Sequence, residues 1–109
     1  IMVPMEDYAY NAGLYIIHHS NGTYVTDYCL YTFIHLADRF GDHVVASYNP
    51  LGTALQLNGT VYLVTMQYFS NYTLIARFGD VEVLPYNTGV AYPVYVFLIK
   101  NGTGNPHIG

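Results

Sequence analysis

Four asparagines of this chain stand in the spacing that attachment of sugar requires. Each is followed two residues later by threonine, with a residue other than proline between, which is the acceptor pattern for N-linked glycan. The four acceptors are Asn21, Asn58, Asn71 and Asn101. Eight asparagines among twelve serines and threonines should give about one such match by chance. The excess predicts a glycosylated, extracellular or cell-surface protein whose covalent N-glycans supply surface polarity.

Turn chemistry explains part of the same pattern. The dipeptide Asn-Gly is favoured in tight hairpin turns and threonine in strands, which accounts for the motifs at Asn21 and Asn58. It does not account for Asn71, which is followed by tyrosine, and it does not require threonine at the third position. We therefore predict glycosylation at all four sites.

Residue types that support catalysis or metal binding do not occur in a productive pattern. The serines lack a nucleophile motif, Cys29 has no partner in the sequence, and no glycine-rich phosphate loop is present. Cys29 is expected to be a small buried apolar residue. His18 and His19 would point to opposite faces of a strand. The acidic residues near Gly41-Asp42 and Gly79-Asp80 lack the regular ligand spacing of a calcium-binding loop. The sequence predicts no enzyme, no metal site and no cofactor.

Charge is scarce in this chain. Charged residues make up 9% of the sequence, whereas an ordinary soluble domain has about a quarter. The net charge is −4 and the fixed cations are Arg39, Arg77 and Lys100, so no basic surface for nucleic acid is expected. No apolar run reaches the ~18 residues that span a membrane, so no membrane insertion of the mature chain is expected. Either attached sugar or burial in an assembly must then solvate or cover the surface.

The elements that would position these residues read as β-strands. The phrase Arg-Phe-Gly-Asp at residues 39–42 recurs at residues 77–80. Glycine at the first central position of a two-residue loop permits the positive φ of a hairpin turn, so Gly41-Asp42 and Gly79-Asp80 are predicted to be equivalent turns. Two independent hairpins with the same turn chemistry are the alternative to a duplication.

Turn signals recur about every 8 to 12 residues and no helical period is sustained. Strands are predicted over residues 14–19, 23–37 with a bend near Asp27, 43–48, 53–57, 60–69, 72–78, 81–84 and 91–99. The expected fold class is all-β, an antiparallel Ig-like or jelly-roll-like sandwich of eight or nine strands with an internal duplication. Residues 13–100 would form the sandwich, residues 1–12 an N-terminal extension and residues 101–109 a loose tail.

The N-terminal extension alternates apolar residues with others, and Pro4 excludes a central strand paired on both sides. An apolar strand without partners in its own subunit can pair with a neighbouring chain. The subunit contacts of such a donated strand are predicted at Ile1, Met2, Val3, Met5, Tyr8 and Tyr10. The alternative is that the segment folds back as an edge strand of its own subunit.

Together, the four acceptor motifs, the Tyr- and Thr-rich strands and the apolar residues 1–5 resemble the thread and bundling-pilus subunits of archaeal extracellular filaments. In that family the N-terminal strand of one subunit completes the β-sandwich of the next. The resemblance therefore implies a glycosylated structural subunit that polymerises with copies of itself by strand donation. The alternative function is a monomeric receptor- or glycan-binding ectodomain of a viral or cell-surface glycoprotein.

Overall fold

A computed structural model of the chain describes residues 4–37, 43–80, 82–83 and 90–102. Within these residues, helices and strands alternate along the first half and strands dominate the second half. The elements are α1 (Pro4–His18), β1 (Thr23–Thr26), α2 (Tyr28–Ala37), β2 (Val44–Ala46), α3 (Pro50–Gln56), β3 (Val61–Thr65), β4 (Thr73–Phe78), β5 (Glu82–Val83), β6 (Val90–Ala91) and β7 (Val94–Lys100).

Five strands form one mixed sheet in the order β2-β1-β3-β7-β4. Strand β1 is parallel to both β2 and β3, and β7 runs antiparallel between β3 and β4. The short strands β5 and β6 pair with each other in a separate antiparallel ribbon. Parallel neighbours need a crossover connection, and α2 and α3 supply the crossovers from β1 to β2 and from β2 to β3.

Helices cover both faces of the five-stranded sheet. Helices α1 and α2 pack on the face that holds Tyr24 and Tyr62. On the opposite face, Ala54 of α3 packs against Val25 and Val61. Right-handed crossovers that run in opposite directions place their helices on opposite faces, which matches this arrangement. The architecture is therefore an open α/β sheet wound in both directions from β1.

The prediction of an all-β antiparallel sandwich is wrong, and residues 23–37 show why. The strand expected there ends at Thr26, and residues 28–37 form α2. Asp27 caps this helix, because its Oδ1 accepts a hydrogen bond from Leu30 N at 2.7 Å. Leu30 and Ile34 then lie one turn apart and are buried in the core shared with α1. The bend expected near Asp27 is the start of a helix.

The strand prediction for the N-terminal extension is also wrong, because Pro4–His18 forms α1. Proline is tolerated in the first turn of a helix, where its missing N–H has no intrahelical partner to lose. Ala9, Ala12 and Ile16 are fully buried at helical spacing and form the packed stripe of α1. Of the predicted subunit contacts, Met5, Tyr8 and Tyr10 are thus helical, and Ile1, Met2 and Val3 lie outside the described residues.

The segment that follows Asn49 is a third helix and not the strand predicted over residues 53–57. Asn49 is the N-cap of α3, with its Oδ1 accepting from Gly52 N at 3.3 Å, and Pro50 is the first helical residue. This combination is a helix-start signature. The strands predicted over residues 43–48, 60–69, 72–78 and 91–99 are present in shorter form as β2, β3, β4 and β7.

The structure does not support the predicted duplication where it can be compared. Tyr-Thr-Phe-Ile at residues 31–34 resembles Tyr-Thr-Leu-Ile at residues 72–75, but residues 31–34 lie in α2 whereas residues 73–75 lie in β4. Gly79 has a φ of +86°, but the strands on its two sides, β4 and β5, belong to different sheets. Gly41 and Asp42 lie outside the described residues. Similar sequences thus take different secondary structures where their tertiary surroundings differ.

Candidate functional site

The five-stranded sheet has two ends of different character. Strands β1, β3 and β4 run in one direction and β7 runs in the other. We define the amino end as the end where β1, β3 and β4 begin and β7 finishes. The carboxyl end is the opposite one.

A crevice of about 300 Å³ opens at the carboxyl end. Leu63 and Thr65 share a sheet face with Val61, because alternate strand residues point to the same side, so the crevice lies on the face covered by α3. Three chain segments line it, and they contribute Asp27 after β1, Asn49, Pro50 and Leu51 before and within α3, and Leu63, Thr65, Gln67 and Phe69 in and after β3.

The crevice lies at the point where the chain connections diverge. From the carboxyl end of β1 the chain goes through α2 to β2, on one side of β1, and β3 lies on the other side. From the carboxyl end of β3 the chain continues away from β1 to β4. In open α/β sheets, ligands bind outside the carboxyl ends of the strands at such a switch point.

Asp27 is held in place by the start of α2. Its Oδ1 caps the helix through Leu30 N, and its backbone oxygen accepts from Tyr31 N at 3.0 Å. Because a carboxylate accepts through two oxygens, Oδ2 can accept from a ligand while Oδ1 caps the helix. One side chain therefore fixes α2 and lines the crevice.

A hydrogen-bonded loop between β2 and α3 forms the second wall. Ser47 Oγ lies 2.7 Å from Thr53 Oγ1 and accepts from Asn49 N at 3.0 Å. Ser47 N donates to Thr26 O at 2.9 Å, which ties the loop to β1. The wall is therefore fixed before any ligand arrives, which lowers the entropy cost of binding.

The third wall follows β3. Thr65 Oγ1 accepts from Gln67 N at 3.0 Å and so fixes the turn after the strand. Phe69 packs edge-on against Phe97, with the ring centres 5.9 Å apart, and Phe97 is fully buried. The buried ring of Phe97 thus supports the ring of Phe69, which lines the crevice.

The lining combines one carboxylate, two amides and one hydroxyl with an aromatic ring and aliphatic side chains. Among the described residues, neither lysine nor arginine lines the crevice. The two fixed cations within the described ranges are engaged elsewhere, since Arg77 Nη2 lies 2.9 Å from Asp80 Oδ1 and Lys100 Nζ donates to Leu57 O at 2.8 Å. An anionic ligand would meet Asp27 without a cation among the described lining residues to balance its charge, so the crevice disfavours an anionic ligand.

The histidines singled out in the sequence do not form a site with each other. His18 is the last residue of α1, and His19 stacks on Tyr15 with ring centres 4.0 Å apart. His19 Nδ1 donates to Tyr15 O at 2.9 Å, which closes the helix. In the part of the chain that the structure describes, no three His, Cys, Asp or Glu side chains are placed to bind a metal. Cys29, predicted to be buried, is exposed in the first turn of α2.

All four predicted glycan acceptors are exposed and lie at the amino end. Asn21 precedes β1, Asn58 precedes β3, Asn71 precedes β4 and Asn101 follows β7. The strand register confirms that these ends are level. Thr23 of β1 pairs with Val61 of β3, Val61 with Lys100 of β7, and Thr73 of β4 with Leu98 of β7.

The three Asn-Gly-Thr motifs contact one another through their backbones. A Cβ on Gly22 would lie 2.6 Å from Thr60 O, and a Cβ on Gly102 would lie 2.5 Å from Gly59 Cα. Thr60 Oγ1 accepts from Gly102 N at 3.2 Å, and Gly59 has a φ of +85°. Close packing and backbone conformation thus explain these glycines. The hairpin interpretation is wrong for two of the motifs, since Gly22 links α1 to β1 and Gly59 links α3 to β3.

A pair of stacked tyrosines lies beneath the amino end. The rings of Tyr24 and Tyr62 are 4.4 Å apart, Tyr62 Oη donates to Asn21 Oδ1 at 2.9 Å, and Tyr24 Oη donates to His19 O at 2.6 Å. Burial raises the pKa of the Tyr24 hydroxyl well above its ordinary value, and the neighbouring Tyr62 and Tyr15 add to the rise. These hydroxyls serve as structural donors.

Comparison of the chain with family models, curated proteins and solved structures finds no match. No described helix is long and apolar enough to cross a membrane. Sequence reasoning selected none of the crevice residues as a site. Two signals could have found them, because Asp27 before an apolar run and the pair Asn49-Pro50 both mark helix starts. Helices that alternate with strands direct attention to the carboxyl end of a parallel sheet.

Proposed function

We propose that the protein is a binding domain, not an enzyme, and that the crevice at the carboxyl end takes a neutral sugar. The observation that carries this proposal is the position of the polar crevice, without a lining cation, at the point where the connections of the sheet diverge. A volume of about 300 Å³ is at the lower limit for small-molecule sites. The site therefore suits one or two sugar rings.

The chemistry of the lining favours a sugar over other neutral ligands. Asp27 accepts hydrogen bonds from hydroxyls, while Asn49 and Gln67 both donate and accept. The ring of Phe69 offers an apolar face for the C–H side of a pyranose ring. A ligand with hydroxyls at its rim and an apolar face uses both halves of this lining.

The lining of the crevice favours binding of a sugar over its hydrolysis. Enzymes that hydrolyse glycosides use a pair of carboxylates that flank the bond to be broken. Among the described lining residues there is one carboxylate, Asp27, and its Oδ1 already caps α2. The proposal agrees with the glycan-binding ectodomain that the sequence left open.

Assembly of a filament by strand donation does not fit the structure, because residues 4–18 form a helix that packs in the core. Self-association of the chain stays a prediction. Location outside the cytosol also stays a prediction, and it depends on glycosylation of the acceptor asparagines.

Calorimetric titration with glucose, galactose, mannose and N-acetylglucosamine, and separately with inorganic phosphate, tests the proposal. Asp27→Asn keeps a good helix cap and removes the charge from the lining. Loss of a charge-assisted hydrogen bond costs about 1.5–3 kcal/mol of binding free energy, so the affinity for the sugar should fall roughly tenfold or more. Asp80→Asn, an exposed carboxylate outside the crevice, is the matched control and should bind normally. Heat from phosphate alone, or no heat from any of the four sugars, would contradict the proposal.

A further inference from the structure

We propose that the amino end of the sheet is a glycan-bearing surface, on which the four acceptor asparagines carry N-linked oligosaccharides side by side, at the end opposite to the crevice. The sequence identifies the four motifs but says nothing about where they lie relative to one another. The fold gathers them, because β1, β3 and β4 begin and β7 ends at this one end of the sheet.

The acceptor side chains are accessible although the motifs that hold them are tightly packed. Asn21, Asn58, Asn71 and Asn101 are all exposed, whereas the glycines beside three of them are in close backbone contact. At Asn21 the Oδ1 atom accepts from Tyr62 Oη. Because the sugar is joined to the amide nitrogen, this hydrogen bond and a glycan can exist together.

Attachment needs a donor that the protein does not supply, namely an oligosaccharide linked through diphosphate to a lipid carrier. The asparagine Nδ2 forms a bond to the anomeric carbon of the sugar, and the bond from that carbon to the diphosphate breaks. The amide loses one proton, which balances the charge on the departing diphosphate, and nothing is oxidised or reduced. Each site gains a bulky, strongly hydrated chain.

Sugar at this end would replace a solvation that charges do not provide. Among the described residues at the amino end, Lys100 carries the fixed charge, and its ammonium group donates a hydrogen bond to Leu57 O. A glycan on Asn71 would also stand at the start of β4, one of the two edge strands of the sheet. Bulky sugar beside an outer strand hinders its pairing with another chain.

Mapping of glycopeptides by mass spectrometry, on the chain isolated from its natural source, tests this inference. Sugar at the three Asn-Gly-Thr sites together with Asn71 is the expected result. Asn11 and Asn49, which are not followed by serine or threonine at the third position, are internal controls and should be bare. A bare chain of 12.2 kDa, or sugar on Asn71 alone, would overturn the inference, because the Asn-Gly-Thr motifs would then serve backbone packing only.

A pair of variants separates modification from folding. Thr73 is exposed at the start of β4, so Thr73→Val should fold normally and lose the glycan on Asn71. Thr73→Ser keeps the acceptor motif and should retain that glycan. Both are compared with the wild type in a host that glycosylates secreted proteins. If the masses of Thr73→Val and the wild type differ only by the exchanged side chain, Asn71 carries no sugar and the four-site inference is contradicted.

Discussion

The two ends of the sheet are built by different means. At the amino end, three chain segments with the same Asn-Gly-Thr sequence meet so closely that glycine backbones are in direct contact. At the carboxyl end, the chain leaves β1 and β3 in opposite directions, and side chains of different chemistry line the crevice between them. Where the three Asn-Gly-Thr segments meet, the close backbone contacts require glycine. Where the chain leaves β1 and β3 in opposite directions, there is space for side chains of different kinds. The repeated Asn-Gly-Thr motif therefore marks the amino end of the sheet, and the crevice lies at the opposite end.

Substitution of Gly22 should have the largest effect on this contrast. In Gly22→Ala the new Cβ would meet the Thr60 carbonyl oxygen, a backbone atom that cannot rotate away. Overpacking of this kind costs about 1–3 kcal/mol, and chemical denaturation should show that loss in the free energy of unfolding. A loss below about 0.5 kcal/mol would show that the amino end is loose.

Two further variants calibrate the Gly22 result. Gly59→Ala places its Cβ in open space but keeps a strained φ, so about 1 kcal/mol is expected from the backbone alone. Asp27→Asn, at the carboxyl end, keeps the helix cap and should leave the free energy of unfolding nearly unchanged. Equal losses in all three variants would erase the distinction between the two ends.

A smaller effect is expected from pH, and it reports on the tyrosines beneath the amino end. Because the pKa of Tyr24 is raised in the folded state, the unfolded chain loses this proton first as the pH passes about 10. The stabilisation is complete below that pH and declines above it, by up to about 1.4 kcal/mol per pH unit for one group. Urea denaturation between about pH 8 and about pH 11 should show the decline in the free energy of unfolding.

The variant Tyr24→Phe is the control for the pH effect. It lacks the titrating hydroxyl, so its free energy of unfolding should decline less steeply over the same range. It also loses the hydrogen bond to His19 O, which lowers its stability at neutral pH by about 0.5–1.5 kcal/mol. Identical pH slopes for the wild type and Tyr24→Phe would mean that water reaches the Tyr24 hydroxyl.

The sequence predicted strands well where packing and pattern agreed, as in β3, β4 and β7. It failed for α1 and α2, because tyrosine, threonine and isoleucine favour strands and their alternation imitates a sheet face. The capping oxygen of Asp27 and the buried pair Leu30 and Ile34 decide for a helix at residues 28–37. The burial of Leu30 and Ile34 depends on contact with α1, so residue preferences within residues 28–37 could not show it. The cap at Asp27 is a local helix-start signal, but the strand pattern outweighed it.

The candidate sites show the same difference between local and non-local signals. The acceptor asparagines were identified by spacing alone, since that pattern is local in sequence. The crevice joins residues from 27 to 69 that only the sheet order brings together. A prediction of the crevice therefore required the parallel pairing of β1 with β3. The helix starts at Asp27 and Asn49-Pro50 indicate such a pairing, but the strand pattern predicted a bend and a turn there.

The most direct test of the functional difference between the two ends is chemical-shift mapping by NMR during titration with the sugar that binds most tightly. We expect the amide signals of Asp27, Thr65 and Gln67 to move as the crevice fills. The amide signals of Gly22, Gly59 and Gly102, at the amino end, should stay in place. Shifts confined to the three glycines, or spread equally over both ends, would contradict the assignment of the carboxyl end as the ligand site.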